Sequence, residues 1–325
     1  MFAGLRKPTE LIVMVVTLLA YGCPVQAIVY AFGLDERTVA NWRDRAGAQC
    51  ERVHQAIVEQ GKLDLVHVQA DEIRVKGRNM IAWMGLALMV STRLWLAGAV
   101  SVTRDKRLAA ALMQQVRRSA QSLGPLLVLT DGWAAYPGSI RRAFREKVKK
   151  LAGVGRAALE VWPHLHIGTV IKRTEKKRVV EITRQMAHGL LDQAEKLLQL
   201  SGGGNVLNTA FIERFNGTMR ERLASLTRKC RHAAHRLAAL QTGMYLLGCT
   251  YNFCWPHHEL SRTAPDEATG KRTWVAKTPA MASRLTNHVW SVFELLSYQV
   301  ASPPWVAPKR PRGRPPKVAL CSSTI

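Results

Sequence analysis

Two short apolar segments, residues 63–71 and 126–131, each end on an aspartate, and this pair constrains the fold more than any other feature of the chain. Leu63-Asp64-Leu65-Val66-His67-Val68-Gln69-Ala70-Asp71 reads as a strand closed by Asp71. Leu126-Leu127-Val128-Leu129-Thr130-Asp131 reads as a second, more apolar strand, and Gly132 turns the chain directly after Asp131. A third acid, Glu213, lies early in a helix that starts just after Asn208-Thr209. Two strand-end aspartates and one helix glutamate, far apart in sequence, can together hold a pair of divalent cations, and such a pair drives in-line attack on a phosphodiester.

The elements between these acids set the expected fold class. Strands are expected at about residues 63–71, 80–90 and 94–102, with a hairpin turn at Ser91-Thr92-Arg93. A helix follows at about 104–121, with Leu108, Leu112 and Val116 on one face, then the strand 126–131 and a helix at about 133–147. Three strands, a helix, a strand and a helix is the order of an RNase H-like α/β domain with a mixed five-stranded sheet, which would place Asp71 and Asp131 on neighbouring strands. Residues 61–255 are assigned to this domain. An insertion is expected at about 150–205, containing a hairpin (167–173 with 178–184) and a helix at 187–200. Residues 256–301 form a C-terminal extension.

Residues 1–60 read as an all-α helix-turn-helix region followed by a helical connector. One apolar helix covers about 9–21, and a second starts at Pro24. Gly33 supplies the turn, and Asp35 is a natural N-cap for a third helix from Glu36 to about Ala46. The connector then runs over about 48–60. Val39 and Trp42 would face the core, while Arg37, Thr38, Asn41 and Arg45 face outward as a recognition helix does in a major groove. The alternative is a three-helix cap on a larger domain.

The chain of 325 residues has 47 Lys and Arg against 23 Asp and Glu, a net charge of +24. The cations cluster, at 141–150, at 172–178 and from Arg220 to Arg236, and this argues for a polyanionic partner over a merely solubilising surface. The six cysteines show no paired spacing, so a reduced cytosolic setting is expected. Cys249, Cys254, His257 and His258 match no common zinc spacing. Residues 11–21 resemble a signal peptide only superficially, since Glu10 adjoins the apolar run. Residues 80–100 are apolar enough to span a bilayer, but Arg93 interrupts them, and a hairpin accounts for them better. The segment from Ser302 is rich in proline and cations, and disorder is expected there. Its Lys309-Arg310-Pro311-Arg312-Gly313-Arg314-Pro315 run resembles an AT-hook, in which Arg312, Gly313 and Arg314 would lie in a narrow minor groove. A generic basic tail is the alternative.

On the helix after Thr209, Phe211, Phe215, Met219, Leu223 and Leu226 form the expected core stripe, and Glu213, Asn216 and Arg220 lie on another face. A carboxylate, an amide and a guanidinium in one row suit a metal ligand beside phosphate contacts, although many solvated helix faces show the same spacing. Asn208-Thr209-Ala210-Phe211-Ile212-Glu213-Arg214-Phe215-Asn216, followed by Arg220, resembles the glutamate helix of bacterial insertion-sequence transposases of the DDE type. Tyr251-Asn252-Phe253-Cys254, with His257, Leu260 and Thr263-Ala264-Pro265, resembles their tail motif. With Asp71-Glu72 and Thr130-Asp131-Gly132, the order over about residues 10–300 is similar to that of the insertion-sequence-one group.

This resemblance implies that Asp71, Asp131 and Glu213 bind two Mg²⁺ (or Mn²⁺) ions. It further implies that the chain cuts and joins DNA at terminal inverted repeats and in a target, without a covalent protein–DNA intermediate. Double-stranded DNA is the expected partner. A homo-oligomer is expected on DNA, with no membrane association, in the nucleoid-associated bacterial cytoplasm. The alternatives are a catalytically inactive, transposase-derived DNA-binding protein and another RNase H-like nuclease such as a resolvase. Glu72 is left out of the set because alternation on a strand turns it to the opposite face. Many members of the group carry an N-terminal zinc-binding module, and none is read here.

Overall fold

β1 (His67–Lys76) is buried on both faces over most of its length and lies inside a mixed sheet; it starts later than the expected 63–71 and runs on past Asp71, which therefore stands mid-strand and not at the strand end. The computed structural model describes residues 1–77, 80–121, 124–148, 157–176, 178–226, 236–265 and 272–301. β2 (Ile81–Met89) and β3 (Trp95–Ser101) run antiparallel on one side of β1. β4 (Leu126–Asp131) runs parallel to β1 on the other side. The turn between β2 and β3 falls where the sequence placed it, with Arg93 in the left-handed region at φ 61°. Among the described residues, no helix is long and apolar enough to cross a membrane.

The sheet has six strands in the order β3-β2-β1-β4-β7-β8, where the sequence led us to expect five. β7 (Leu165–Glu175) pairs parallel to β4 from Leu126↔Leu165 to Asp131↔Val170, and β8 (Arg178–His188) closes the edge antiparallel to β7. The hairpin expected as part of an insertion therefore supplies sheet strands. α6 (Leu191–Leu200) also belongs to the body, burying Ala194, Leu197 and Leu198 with Leu127 and Leu129 of β4. The physical reason is that β4 is apolar on both faces and needs cover on the α6 side as well.

α4 (Lys106–Ser119) and α5 (Ala135–Ala143) cover one face of the sheet. Gly85 of β2 lets Leu108 and Leu112 of α4 approach there; a Cβ at Gly85 would lie 3.3 Å from the Leu112 side chain. α5 stops at Ala143, short of the expected 147, because Phe144 turns fully into the core against Trp162. Residues after it form β5 (Arg145–Val148), paired with β6 (Ala158–Val161). α7 (Ala210–Arg222) and α8 (Leu237–Cys249) cover the other face.

The N-terminal helices are α1 (Thr9–Ala20), α2 (Val25–Phe32) and α3 (Glu36–Ile57). α2 starts at Val25, one residue after the expected Pro24, which stands at its N-cap position, and Asp35 caps α3, its Oδ1 accepting from the N–H of Arg37 at 2.8 Å and of Thr38 at 3.3 Å. Val39 and Trp42 are buried as expected. The expected break near residue 47 is absent, and α3 runs unbroken for 22 residues. Gly47 is a crossing point instead, since a Cβ there would lie 2.3 Å from the carbonyl oxygen of Thr242 on α8. The far end of α3 reaches the sheet, where buried His54 stands 3.1 Å from the carbonyl oxygen of Leu96. One continuous core thus extends from Ile12 through the sheet to Leu296.

Asn252 gives the tail motif a structural role. It lies in a π-helical turn (Thr250–Cys254) and is fully buried. Its Nδ2 donates to the carbonyl of Trp95, and its Oδ1 accepts from the N–H of Trp95, both at 2.9 Å. The outer edge of β3 is thereby satisfied at that residue, where bare backbone would cost desolvation energy. Asn252→Ala is expected to destabilise the protein by about 1–3 kcal/mol. Urea unfolding checks this, and the loss should be the same with and without Mg²⁺.

Candidate active site

The parallel pairing of β1 with β4, Ala70 opposite Thr130, sets Asp71 and Asp131 side by side. β4 ends at Asp131, and Asp131 Oδ1 accepts the N–H of Trp133 at 3.1 Å in the turn that follows. The third acid arrives with α7. Gln69, two residues before Asp71 on the same face of β1, is fully buried. Its Oε1 accepts from the N–H of Phe211 at 3.0 Å and of Ile212 at 3.1 Å, and its Nε2 donates to the carbonyl of Asn208 at 2.8 Å. Gln69 therefore satisfies two of the open N–H groups at the start of α7 and fixes that end of the helix against β1.

One turn further on, Asn216 Nδ2 donates to Asp71 Oδ2 at 2.8 Å. Asp71, Asp131 and Glu213 consequently line one cleft, together with Arg104, Trp133 and Lys172. Glu213 is turned toward the wall of this cleft. Its carboxylate accepts from Lys172 Nζ and Thr209 Oγ1.

Among the described residues, one carboxylate oxygen each of Asp71, Glu72 and Asp131 lie within 4.8 Å of one another. Strand alternation sets Glu72 on the face opposite Asp71, yet its carboxylate still comes close to the other two acids. Glu72 does point to the α4–α5 side, where Tyr136 donates to its Oε2 at 2.9 Å. Because β4 stops beside Asp71, the longer Glu72 side chain passes the strand end and meets Asp131. Arg104 bridges the two, paired with Glu72 and 3.2 Å from Asp131 Oδ2. The Arg104 guanidinium also lies 5.2 Å from the ring centre of Trp83 and 4.6 Å from that of Trp133.

Crowding of acids changes their protonation. Burial pushes the Asp71 carboxyl up to about 6, and the charges of Asp131 and Glu213 add to the rise, against the hydrogen bond from the Glu72 N–H and the charge of Arg220. Burial pushes Glu72 up to about 7, with Asp131 adding to the rise and Arg104 opposing it. Carboxylate oxygens that repel one another in a half-buried cleft fit a hard divalent cation, which would favour their charged forms.

The other expected contact residues are dispersed. Arg37 and Asn41 are exposed on α3, and Thr38 is half-buried. Arg45 is turned away, its Nη1 donating to the carbonyl of Ala3 at 3.0 Å, so it does not extend the outward row of α3. Asn216 is buried and bonded to Asp71, which makes it a support for that carboxylate instead of a phosphate contact. Arg220 is half-buried on α7. Within α7, Ile212 joins Phe215 and Met219 in the core, and the helix ends at Arg222, short of the expected Leu226. Arg312, Gly313 and Arg314 lie outside the described residues. Sequence reasoning missed Gln69, Arg104 and Tyr136, whereas Lys172 belongs to the cation cluster at 172–178 that it singled out. Only Gln69 carried a signal, as an amide on the same face of an apolar strand as Asp71.

No protein-family model matches the chain, and no curated protein matches it.

Two predictions follow from this geometry. Asp71 binds its proton more tightly in the folded state than the usual value near 4 allows, so its contribution to stability is greatest below pH 4 and is lost as pH rises through about 6. Without metal at pH 8, Asp71→Asn should therefore raise Tm, while Mg²⁺ should raise the Tm of the wild type and leave that of the variant nearly unchanged. Thermal melts at pH 4 and pH 8 check this. Gln69→Leu should cost about 2–4 kcal/mol, because it strands two N–H groups and a carbonyl in the interior. It should also weaken Mg²⁺ stabilisation more than Asn252→Ala does, as read by metal titration of Tm.

Proposed function

We propose that this chain is a metal-dependent DNA strand-cleaving and strand-joining enzyme of the DDE transposase type. The observation that carries this reading is the arrival of Asp71, Asp131 and Glu213 at one cleft from β1, β4 and α7, elements separated by long stretches of chain. The strand order β3-β2-β1-β4-β7, with β1, β4 and β7 parallel, supports an RNase H-like core carrying that cleft. The net charge of +24 supports a polynucleotide substrate.

In this reading Asp71, Asp131 and Glu213 would hold two Mg²⁺ or Mn²⁺ ions. Such ions, when bound, activate a water or a DNA 3′-hydroxyl as nucleophile and stabilise the leaving 3′ oxygen. The protein's own groups do the rest. Asn216 fixes the orientation of Asp71. Arg104 balances Glu72 and Asp131, so that four acids can stand together near neutral pH. Lys172, paired with Glu213 at the cleft wall, is within reach of a phosphate brought to that carboxylate. Exposed Arg37 and Asn41 on α3 would read the terminal inverted repeats, and paired ends require at least two copies of the chain on DNA.

The test is nicking of a duplex carrying the gene's own flanking ends, with Mg²⁺ or Mn²⁺. Glu213→Gln is expected to reduce nicking by roughly two orders of magnitude or more, the scale for loss of one preorganised charged group, with duplex binding retained. Binding without nicking in the wild type would point to a catalytically inactive DNA-binding protein. Preferred cutting of branched DNA over the flanking ends would point to a resolvase.

A further inference from the structure

β4 ends opposite Val170, so from Ile171 onward β7 has β8 as its neighbour in the sheet. The two strands continue as a ribbon, closed at Lys176 with φ 47°. Every described residue from Ile171 to Gln185 is exposed. The ribbon starts at the cleft itself, since Val170, Ile171 and Lys172 line it. Between residues 171 and 184 the sequence holds six cations (Lys172, Arg173, Lys176, Lys177, Arg178, Arg184) and two acids (Glu175, Glu181).

The cations divide by position. Lys172 pairs with Glu213, and Arg184 Nε donates to the carbonyl of Leu207 at 2.8 Å, so both are held against the body. Arg173 lies between Glu175 and Glu181. Among the described residues, Lys176 and Arg178 at the tip have no side-chain partner. A ribbon that is exposed on both faces gains little from a core, and Val179, Val180 and Ile182 stand 54%, 49% and 41% exposed along it.

We propose that the β7–β8 ribbon grips duplex DNA beside the cleft, with Lys176 and Arg178 on phosphates of the strand that leads to Asp71, Asp131 and Glu213. This rests on the polynucleotide reading of the cleft. The shape fits, because a two-stranded ribbon enters a major groove about 12 Å wide. The length fits as well. Four residues from Lys172 to Lys176 extend about 13 Å, the axial rise of roughly four phosphates along one strand. Threonines 174 and 183 and the exposed β-branched side chains match sugar edges and thymine methyl groups. Charge argues against a second copy of the chain on this surface, since two net-positive ribbons repel. It also gives the ribbon a task. An acidic cleft repels the phosphodiester it is to cut, and cations at its rim hold the polyanion there.

The experiment compares the full-length wild type with Lys176→Ala/Arg178→Ala for binding to a fluorescein-labelled duplex of random sequence, without metal, over a range of salt concentrations. The expected result is a slope of log K on log salt that is smaller by about 1.8, two phosphate contacts at about 0.9 each. An unchanged slope would falsify the proposal. An equal fall in Arg141→Ala/Arg142→Ala on α5 also overturns it, because the charge would then act through the whole surface. Conversion of a dimer to a monomer by the ribbon variant, with the slope unchanged, reassigns the ribbon as an interface between copies. Because this assay needs no metal, wild-type binding without nicking would remove the catalytic reading and leave the ribbon's role standing. Failure of the wild type to bind duplex at all removes both.

Discussion

The double acceptance of α7 N–H groups by Gln69 is the interaction on which the geometry of the cleft depends. Asp71 and Asp131 are placed by strand pairing, which fixes neighbours to within a residue. Glu213 has no such guarantee, because a helix lying on a sheet can slide and rotate. A fully buried amide that bonds Asn208, Phe211 and Ile212 removes that freedom at the end of α7 nearest the acids. Asn216 repeats the device one turn later on Asp71 itself. Helix and strand are joined by side-chain hydrogen bonds in a region shielded from water, where breaking them leaves polar groups unpaired.

The cleft concentrates negative charge, and the structure answers with cations placed at its margin. Arg104 lies near two indole rings and two carboxylates, and Lys172 holds Glu213 from the neighbouring strand. The balance is incomplete, since Asp71 and Glu72 still hold their protons to about 6 and about 7. The same wall that neutralises Glu213 continues into the basic ribbon, so the cleft and the surface beside it are built from one strand, β7.

The helical N-terminal region shares the core of the sheet domain. α3 runs past the length expected of a recognition helix, crosses α8 at Gly47 and packs the tilted ring of His54 against Trp95, the residue whose backbone Asn252 bonds. Within the Tyr251-Asn252 segment of the resemblance, Asn252 thus acts on the β3 edge of the sheet, away from β4 and β7, while Tyr251 packs against Phe215 of α7.

Much of this was legible in the sequence. Strand β4, the β2–β3 turn, the Asp35 cap and the core positions Val39 and Trp42 rest on local rules of periodicity, turn chemistry and capping, and the structure agrees with each. What local rules could not supply lay in contacts between distant segments. Gly47 looked like a break because its neighbour Thr242 is almost two hundred residues away. The hairpin after residue 165 looked like an insertion because its pairing partner, β4, carries no local sign of which strand it will accept. Glu72 was set aside by a correct rule of alternation, and only the early end of β4 let it reach Asp131. Residue type and spacing thus determined which acids were candidates and which elements carry them. The meeting of those elements, and the choice of Arg104, Lys172 and Gln69 to hold them, was decided by packing, because hydrogen bonds and ion pairs across a sheet depend on distances that no spacing in the chain records.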